Sequence, residues 1–350
     1  MGRLDKRRAH WFHDRVMSPY NLREGIRVTL ANWFPDQGLR RRMDLSARQE
    51  VLAPDLAPAL RIGLVGDIMD MRGKALEWDD EVAAFFADCD VMVGNFEAVM
   101  APRRTHLLQQ RHTPDILRSL RQVAACEKWY LSVANNHAGD YGPAAFQASC
   151  ARLEQEGFHV FGLKDRPYVD VGAHLRVTTG SMWTNMPCDG ISDLDDIADH
   201  GDPERYQLLY PHWGYELESE PRPDIVALGE ALIRQADAVV GHHSHVPQSI
   251  QLLPGDGRTK IMAPSLGDFC TGTAGEGYDY GTMLKLTLGR PSAGPCQLSE
   301  VEWKPLQMVR EKQTVRVAPL PTLAGASPVR TLEPVLCDPA WVEPVSPVVD

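Results

Sequence analysis

Long apolar runs are missing from this chain. No stretch of 18 or more apolar residues occurs in its 350 residues, so no transmembrane helix is expected. The opening MGRLDKRRAHWFHDR is charged but carries no apolar core, so it does not read as a secretory signal. Paired cysteines are missing too. The seven cysteines are odd in number and scattered, with no C-x-x-C spacing, which argues against a disulfide framework or a thiolate zinc site. They read as buried free thiols, with a catalytic thiol as the alternative. These absences together predict a cytoplasmic protein. A basic excess is also lacking: 36 Lys and Arg stand against 47 Asp and Glu, a formal net charge of -11. Phosphate contact wants a basic surface, so nucleic acid is not an expected partner. There is no internal repeat.

What is present suits a soluble globular protein, with 43% hydrophobic and 24% charged residues. Composition divides it into three regions. Residues 1–58 form a basic extension with clusters at Lys6-Arg7-Arg8 and Arg40-Arg41-Arg42. It reads as an extension packing on the domain, with contact to an anionic membrane surface as the alternative. Trp11, Phe12, Trp33 and Phe34 argue that it is not wholly disordered. Residues 59–290 alternate apolar runs with helix-like stretches. Residues 291–350 hold 10 of the 26 prolines, and regular structure is expected to be sparse there.

The middle region reads as α/β. Strands are predicted at 61–66, 91–94, 130–134, 158–161, 206–210, 238–240, 261–264 and 282–288. Helices are predicted at 78–88, 143–156 (stopped by Gly157) and 224–235, and another begins at Thr113-Pro114. Alternating strands and helices imply sheets covered by helices.

Polar residues fall at the ends of the apolar runs. Asp67 follows the first; Asn95 and Glu97 follow the second. Asn135, Asn136 and His137 follow a third, His212 a fourth, and His242, His243 and His245 a fifth. Ligand sites in open α/β sheets lie beyond the carboxyl ends of the strands. His243 and His245 point the same way if extended, and in a turn they can feed two adjacent ions. Glu97 can bridge two cations, and Asn136 offers a neutral oxygen. Such a donor set suits Mn, Fe, Zn or Co. Two such ions can activate a water and clamp a displacement at phosphorus. His137 can then serve as general acid or orient the substrate. Each residue alone has a plainer reading. Asp67 is a helix cap, Asn135-Asn136 a turn, His212 a core histidine, and GHHSH a polar loop. The joint pattern favours the metal site.

In order, GDIMDMRG (66–73), GNFEAVM (94–100), SVANNHAGDYG (132–142), HWGYE (212–216), GHHSHVPQ (241–248) and SLGDF (265–269) resemble the CapA family of bacterial capsule and poly-γ-glutamate synthesis proteins. That family belongs to the calcineurin-like metallophosphoesterase superfamily. The resemblance covers about residues 60–290. It implies a four-layer α-β-β-α sandwich with the site at one edge of two sheets. It implies Asp67 as first-metal aspartate, Glu97 as bridge, Asn136, His212 and His243 on the second metal, and His245 on the first. His242 is the alternative within the triplet. His137 is implied as the catalytic histidine beside Asn136, which would share in stabilising charge. The implied activity is a dinuclear metal-dependent, phosphoesterase-like hydrolase acting on an anionic polymer or phosphoester. A non-catalytic assembly or polymer-handling factor is the alternative. The wider superfamily opens with D-x-H, and here Met69 fills the third position, a feature shared by CapA-like proteins. The first metal is then one imidazole short, with Asp70 or His242 as replacements. Arg72, in the opening motif, is a candidate substrate-binding residue or a surface arginine. The acidic segment 181–203 reads as a solvated insertion, with a loop over the site as the alternative.

Overall fold

The computed structural model describes residues 22–33, 38–105, 108–255 and 257–320, and all structural statements concern these. The Lys6-Arg7-Arg8 cluster, Trp11, Phe12, Phe34 and the tail beyond 320 lie outside them.

The apolar runs become strands whose pairing gathers the polar residues at one edge. In the larger sheet Ala57–Ile68, Val91–Phe96, Trp129–Ser132 and His159–Phe161 lie parallel, side by side. Beyond Ala57–Ile68 the sheet continues through antiparallel Tyr280–Arg290, Gln297–Arg310 and Thr314–Pro319, and ends on Ala75–Trp78. The smaller sheet has a parallel centre of Arg258–Ala263, Ala238–Val240, Tyr206–Leu209 and Leu175–Thr178. Antiparallel Gln251–Gly255 and Tyr168–Val171 form its edges.

Three apolar clusters in series set out the layers. Leu60, Ile62, Leu64, Val93, Leu284 and Leu286 of the larger sheet pack on Val177, Leu208, Tyr210 and Val240 on the side of the smaller one. On its other face the larger sheet meets the helices Asp80–Phe86, Asp115–Val123 and Gly142–Gln155 through Phe86, Leu120 and Leu153. The far face of the smaller sheet packs Leu209, Val239 and Met262 on Ile225 and Leu232 of the helix Pro223–Ile233. The two sheets therefore pack on each other, and helices pack on their outer faces. Strand Ala57–Ile68 is buried from Ile62 onwards because both of its faces are covered, which is why it reads as a continuous apolar run. The Leu284-Leu286-Leu288 alternation holds: these leucines face the smaller sheet, while Lys285 pairs with Asp88 and Glu302.

One regional expectation needs correction. Residues 291–320 are not sparse in structure, since Gln297–Arg310 and Thr314–Pro319 are integral strands of the larger sheet. Six of the ten prolines lie beyond 320, and Pro305 sits in register opposite Thr282, so composition averaged over 60 residues hid two strands. The 1–58 segment also contributes, because Arg48–Val51 pairs with Gln297–Arg310. Its helix Leu22–Trp33 is joined to the 216–222 loop by the Arg222–Glu24 and Arg27–Glu218 ion pairs at 2.8 and 3.1 Å. At the 113–123 helix, Thr113 is not a side-chain cap; the helix begins at Asp115. The six described cysteines are free, and burial pushes the Cys89 and Cys150 thiols up to about 12, as inert core thiols require. Among the described residues no helix is long and apolar enough to cross a membrane.

One buried side chain makes stability pH-dependent. His112 stacks on Phe96, with ring centroids 4.2 Å apart, and its Nε2 lies 3.1 Å from the Ile68 carbonyl. Burial lowers its pKa to about 4 from the ordinary 6.5. The unfolded chain therefore takes up this proton first. Stability is full above pH 6.5 and falls as pH drops towards 4. At about 1.4 kcal/mol per pH unit the loss is about 3 kcal/mol. Urea melts at pH 4.5 and 6.5 are expected to differ less in His112→Gln than in the wild type; an unchanged difference would refute the assignment.

Candidate metal centre

The parallel register explains why distant residues meet. Asp67 pairs with Asn95 across neighbouring strands, and Asn95 with Ser132 across the next pair. Glu97 and Asn135–His137 thus emerge at the same end of the larger sheet. His212 and His242–His245 follow the parallel strands Tyr206–Leu209 and Ala238–Val240 of the smaller sheet. Gly66 lets the two edges close: a Cβ there would sit 1.8 Å from the Gly267 carbonyl oxygen, which accepts the Asp67 amide proton.

The structure brings Asp67, Glu97, Asn136, His137, His212, His243 and His245 together, all buried. Asp67, Glu97 and His245 form one set with donor atoms within 4.8 Å of one another; Glu97, His212 and His243 form a second, sharing Glu97. Asn136 Oδ1 lies 3.0 Å from His212 Nε2, beside the second set. His242 joins a third grouping with Asp67 and His212. Its Nδ1 is 3.0 Å from Asp67 Oδ1 and 2.9 Å from His212 Nδ1. Of the two replacements weighed for Met69, His242 lies against Asp67, in a grouping with His212 and outside the set of His245. The Asp70 carboxylate is taken by Arg104 and by the Arg72 and Arg111 amides.

Backbone strain marks the GHHSH turn. His243 and His245 have φ of +93° and +60°, a region non-glycine residues rarely occupy, at about 1–3 kcal/mol each. The Asp67 carboxylate holds the turn by accepting the His243 amide proton at 2.8 Å. The turn reading, not the extended one, therefore applies.

Both Glu97 carboxylate oxygens are buried and accept no hydrogen bond, while imidazole nitrogens of His137, His212 and His245 stand 3.9–4.0 Å from Oε1. A fully buried carboxylate without donors is strongly unfavourable unless a cation compensates it. Burial, and then the neighbouring Asp67 charge, hold Glu97 well above the usual carboxylate range. Burial works against Asp67 too, but His242, then His245 and His212, keep it well below its ordinary value. Burial lowers His212 and His243, each crowded by further imidazoles, so both are neutral and able to donate to a cation. His242 Nε2 and Asn136 Nδ2 also lack partners. Orphaned oxygens, neutral imidazoles and an amide oxygen fit divalent transition ions.

The supporting residues were harder to see in sequence. Asp268 lies in register with Asp67 and its Oδ1 is 2.9 Å from His245 Nδ1, which fixes that ring. Its motif is visible, but nothing local marks its role. Asp140 Oδ2 is 2.7 Å from His137 Nδ1 and also accepts the Gln110 amide proton. Asn135 does the turn work, accepting the His137 amide proton, and Asn95 donates to Asp67 Oδ1 at 2.7 Å. Arg72 sits beside the centre at φ +52°, with its Nε donating to Thr273 Oγ1. The 181–203 segment is not merely a solvated insertion. Trp183 meets the His243 ring edge-on at 5.2 Å, and the Asn185 amide donates to the Asn136 carbonyl at 2.8 Å. Leu194 and Ile197 anchor it in the core.

Comparison with known proteins fits this arrangement. The profile of the bacterial capsule synthesis protein PGA_cap matches residues 61–171 and 194–273, leaving 172–193 outside. A capsule biosynthesis protein CapA of Bacillus anthracis is 25% identical over 54% of this chain and 52% of its own length. A PGA biosynthesis protein CapA of Bacillus subtilis is 24% identical over 60% of this chain and 63% of its own. The chain thus spans about half to three-fifths of these curated relatives. Among solved structures, the calcineurin-like phosphoesterase YfkN of Bacillus subtilis is 11% identical, with a TM-score of 0.37 over 71% of this chain and 91% of that one. With more than half of its residues matched by the profile, the chain belongs to the bacterial capsule synthesis family PGA_cap, the family of the CapA proteins.

Proposed function

We propose that the chain is a dinuclear metal-dependent hydrolase of the phosphoesterase type, acting on an anionic cell-surface polymer or its phosphoester precursor. The buried, donor-free carboxylate of Glu97, shared by two overlapping ligand sets, carries this reading. Asp67, Glu97 and His245 would hold one ion. Glu97, Asn136, His212 and His243 would hold the other, with Mn, Fe, Zn or Co the fitting choices. When bound, such a pair activates water and offsets charge in a displacement at phosphorus.

The chain's own residues do the rest. Asp268 and Asp67 fix the His245 ring between them. Asp140 holds His137 by Nδ1 and leaves Nε2 facing the centre, the position of a general acid for a leaving oxygen. Trp183 and Tyr215, ring centroids 5.9 Å apart, narrow the approach on the side of His243. A second reading, a polymer-handling factor without catalysis, draws on Met69, a buried thioether at the D-x-H histidine position.

Elemental analysis after purification without chelator and reconstitution with Mn separates the two. The hydrolase reading expects about two ions per chain and Mn-dependent cleavage of bis(p-nitrophenyl) phosphate. No bound metal, or bound metal without turnover on any phosphodiester tried, would favour the second.

A further inference from the structure

A second cluster of chemistry adjoins the metal centre without belonging to it. The Asp70 carboxylate is buried and ties two arginines together. Its Oδ1 accepts the Arg72 amide proton at 2.7 Å, and its Oδ2 accepts from the Arg104 guanidinium. The loop carrying Arg72 is pressed against the Gly272 segment. A Cβ on Gly272 would lie 2.0 Å from the Met71 carbonyl oxygen, and the Gly272 amide donates to the Asp70 carbonyl. Arg72 itself is in the left-handed region at φ +52°, a strain its surroundings must hold.

Two buried donors here have nothing to bind among the described residues: Arg104 Nε and the Tyr141 hydroxyl. Each unmade hydrogen bond is unfavourable, and both donors want an acceptor. Arg72 and Arg104 are close enough to repel; burial first, and then Arg104, lower the Arg72 guanidinium. The cluster also borders the centre on two sides. Tyr141 follows Asp140, the residue that holds His137. Asp70 and Arg72 follow within five residues of Asp67, and Tyr278 lies 5.2 Å from the His245 ring.

We propose that Arg72, Arg104 and Tyr141 form an oxyanion subsite beside the metal centre, which takes a second carboxylate or phosphate group of the substrate, distinct from the reacting one. Guanidinium groups bind either oxyanion in a fork, and a phenol adds a third donor. The subsite deepens the hydrolase reading by requiring a substrate with repeated negative charge, but its test does not depend on turnover.

The full-length protein, as purified and after chelator treatment, would be titrated calorimetrically with inorganic phosphate and with glutarate. Binding is expected in both preparations. Tyr141→Phe and Arg104→Met are each expected to weaken it about tenfold, the worth of a charge-assisted hydrogen bond. Tyr141→Phe removes a hydroxyl that makes no hydrogen bond, so its Tm without ligand should be unchanged or higher. It decides the matter if Arg104→Met fails to fold. A preference for either anion supports the subsite and names its partner. Wild-type affinity in Tyr141→Phe, or anion binding only when Mn is present, would overturn it. A chain that binds no metal yet binds phosphate through these residues would sink the hydrolase reading and leave the subsite standing.

Discussion

Replacing Glu97 by Gln is expected to strip metal from the purified chain and to abolish metal-dependent turnover, while making the metal-free protein more stable. The two effects have one cause. Glu97 is wholly buried, neither carboxylate oxygen accepts a hydrogen bond, and the Asp67 charge lies close by. Without a cation this carboxylate destabilises the fold and is driven to hold a proton. With a cation the same carboxylate would serve as a ligand, since it belongs to two overlapping sets of donors. Gln keeps the shape and removes the charge, so the metal-free variant is relieved of an interaction of a few kcal/mol. The metal-loaded comparison has the opposite sign, because binding free energy is added to the wild type alone. Thermal melts with and without Mn, alongside elemental analysis, read both signs. A variant that keeps its metal, or whose metal-free form is less stable than the wild type, would show that Glu97 is an ordinary buried acid.

How much of this was legible beforehand follows from locality. Strand Ala238–Val240 matches its expected limits, because a short apolar run with two valines lies between Asp237 and Gly241. The ligand residues were visible because each sits immediately after an apolar run, and parallel strands carry all such positions to one edge. Their supports were less visible. Asp268 acts on His245 across 23 residues, and Asn95 on Asp67 across 28, so only the folded register discloses the pairing. Trp183 and Asn185 looked like part of an acidic, solvated stretch because net charge dominates a composition reading. Two contacts onto His243 and Asn136 decide otherwise. The strands after residue 296 failed for a related reason. The tail's prolines diluted the signal of Leu298 and of the alternating Val301 and Trp303, whose burial against the smaller sheet drives that pairing.

Removing the imidazole of His137 is expected to spare the metal and lower turnover by about 10² to 10⁴, the usual worth of a positioned acid. His137 stands apart from the three ligand groupings, and its nearest approach to Glu97 is 3.9 Å. Its other nitrogen is engaged by Asp140 at 2.7 Å, and Asp140 is in turn held by the Gln110 amide. That chain fixes the ring with Nε2 turned towards the centre. The choice of substrate sharpens the test. A p-nitrophenolate leaves without a proton, so His137→Ala should lose least on an aryl ester and most on an alkyl ester. Asp140→Asn should follow the same ranking with a smaller loss, since the ring stays in place but is oriented by a neutral amide instead of a carboxylate. Equal losses on both esters would mean that His137 orients the substrate instead of protonating the leaving group. Loss of metal together with activity would make it a ligand, and the leaving-group proton would then have to come from another residue.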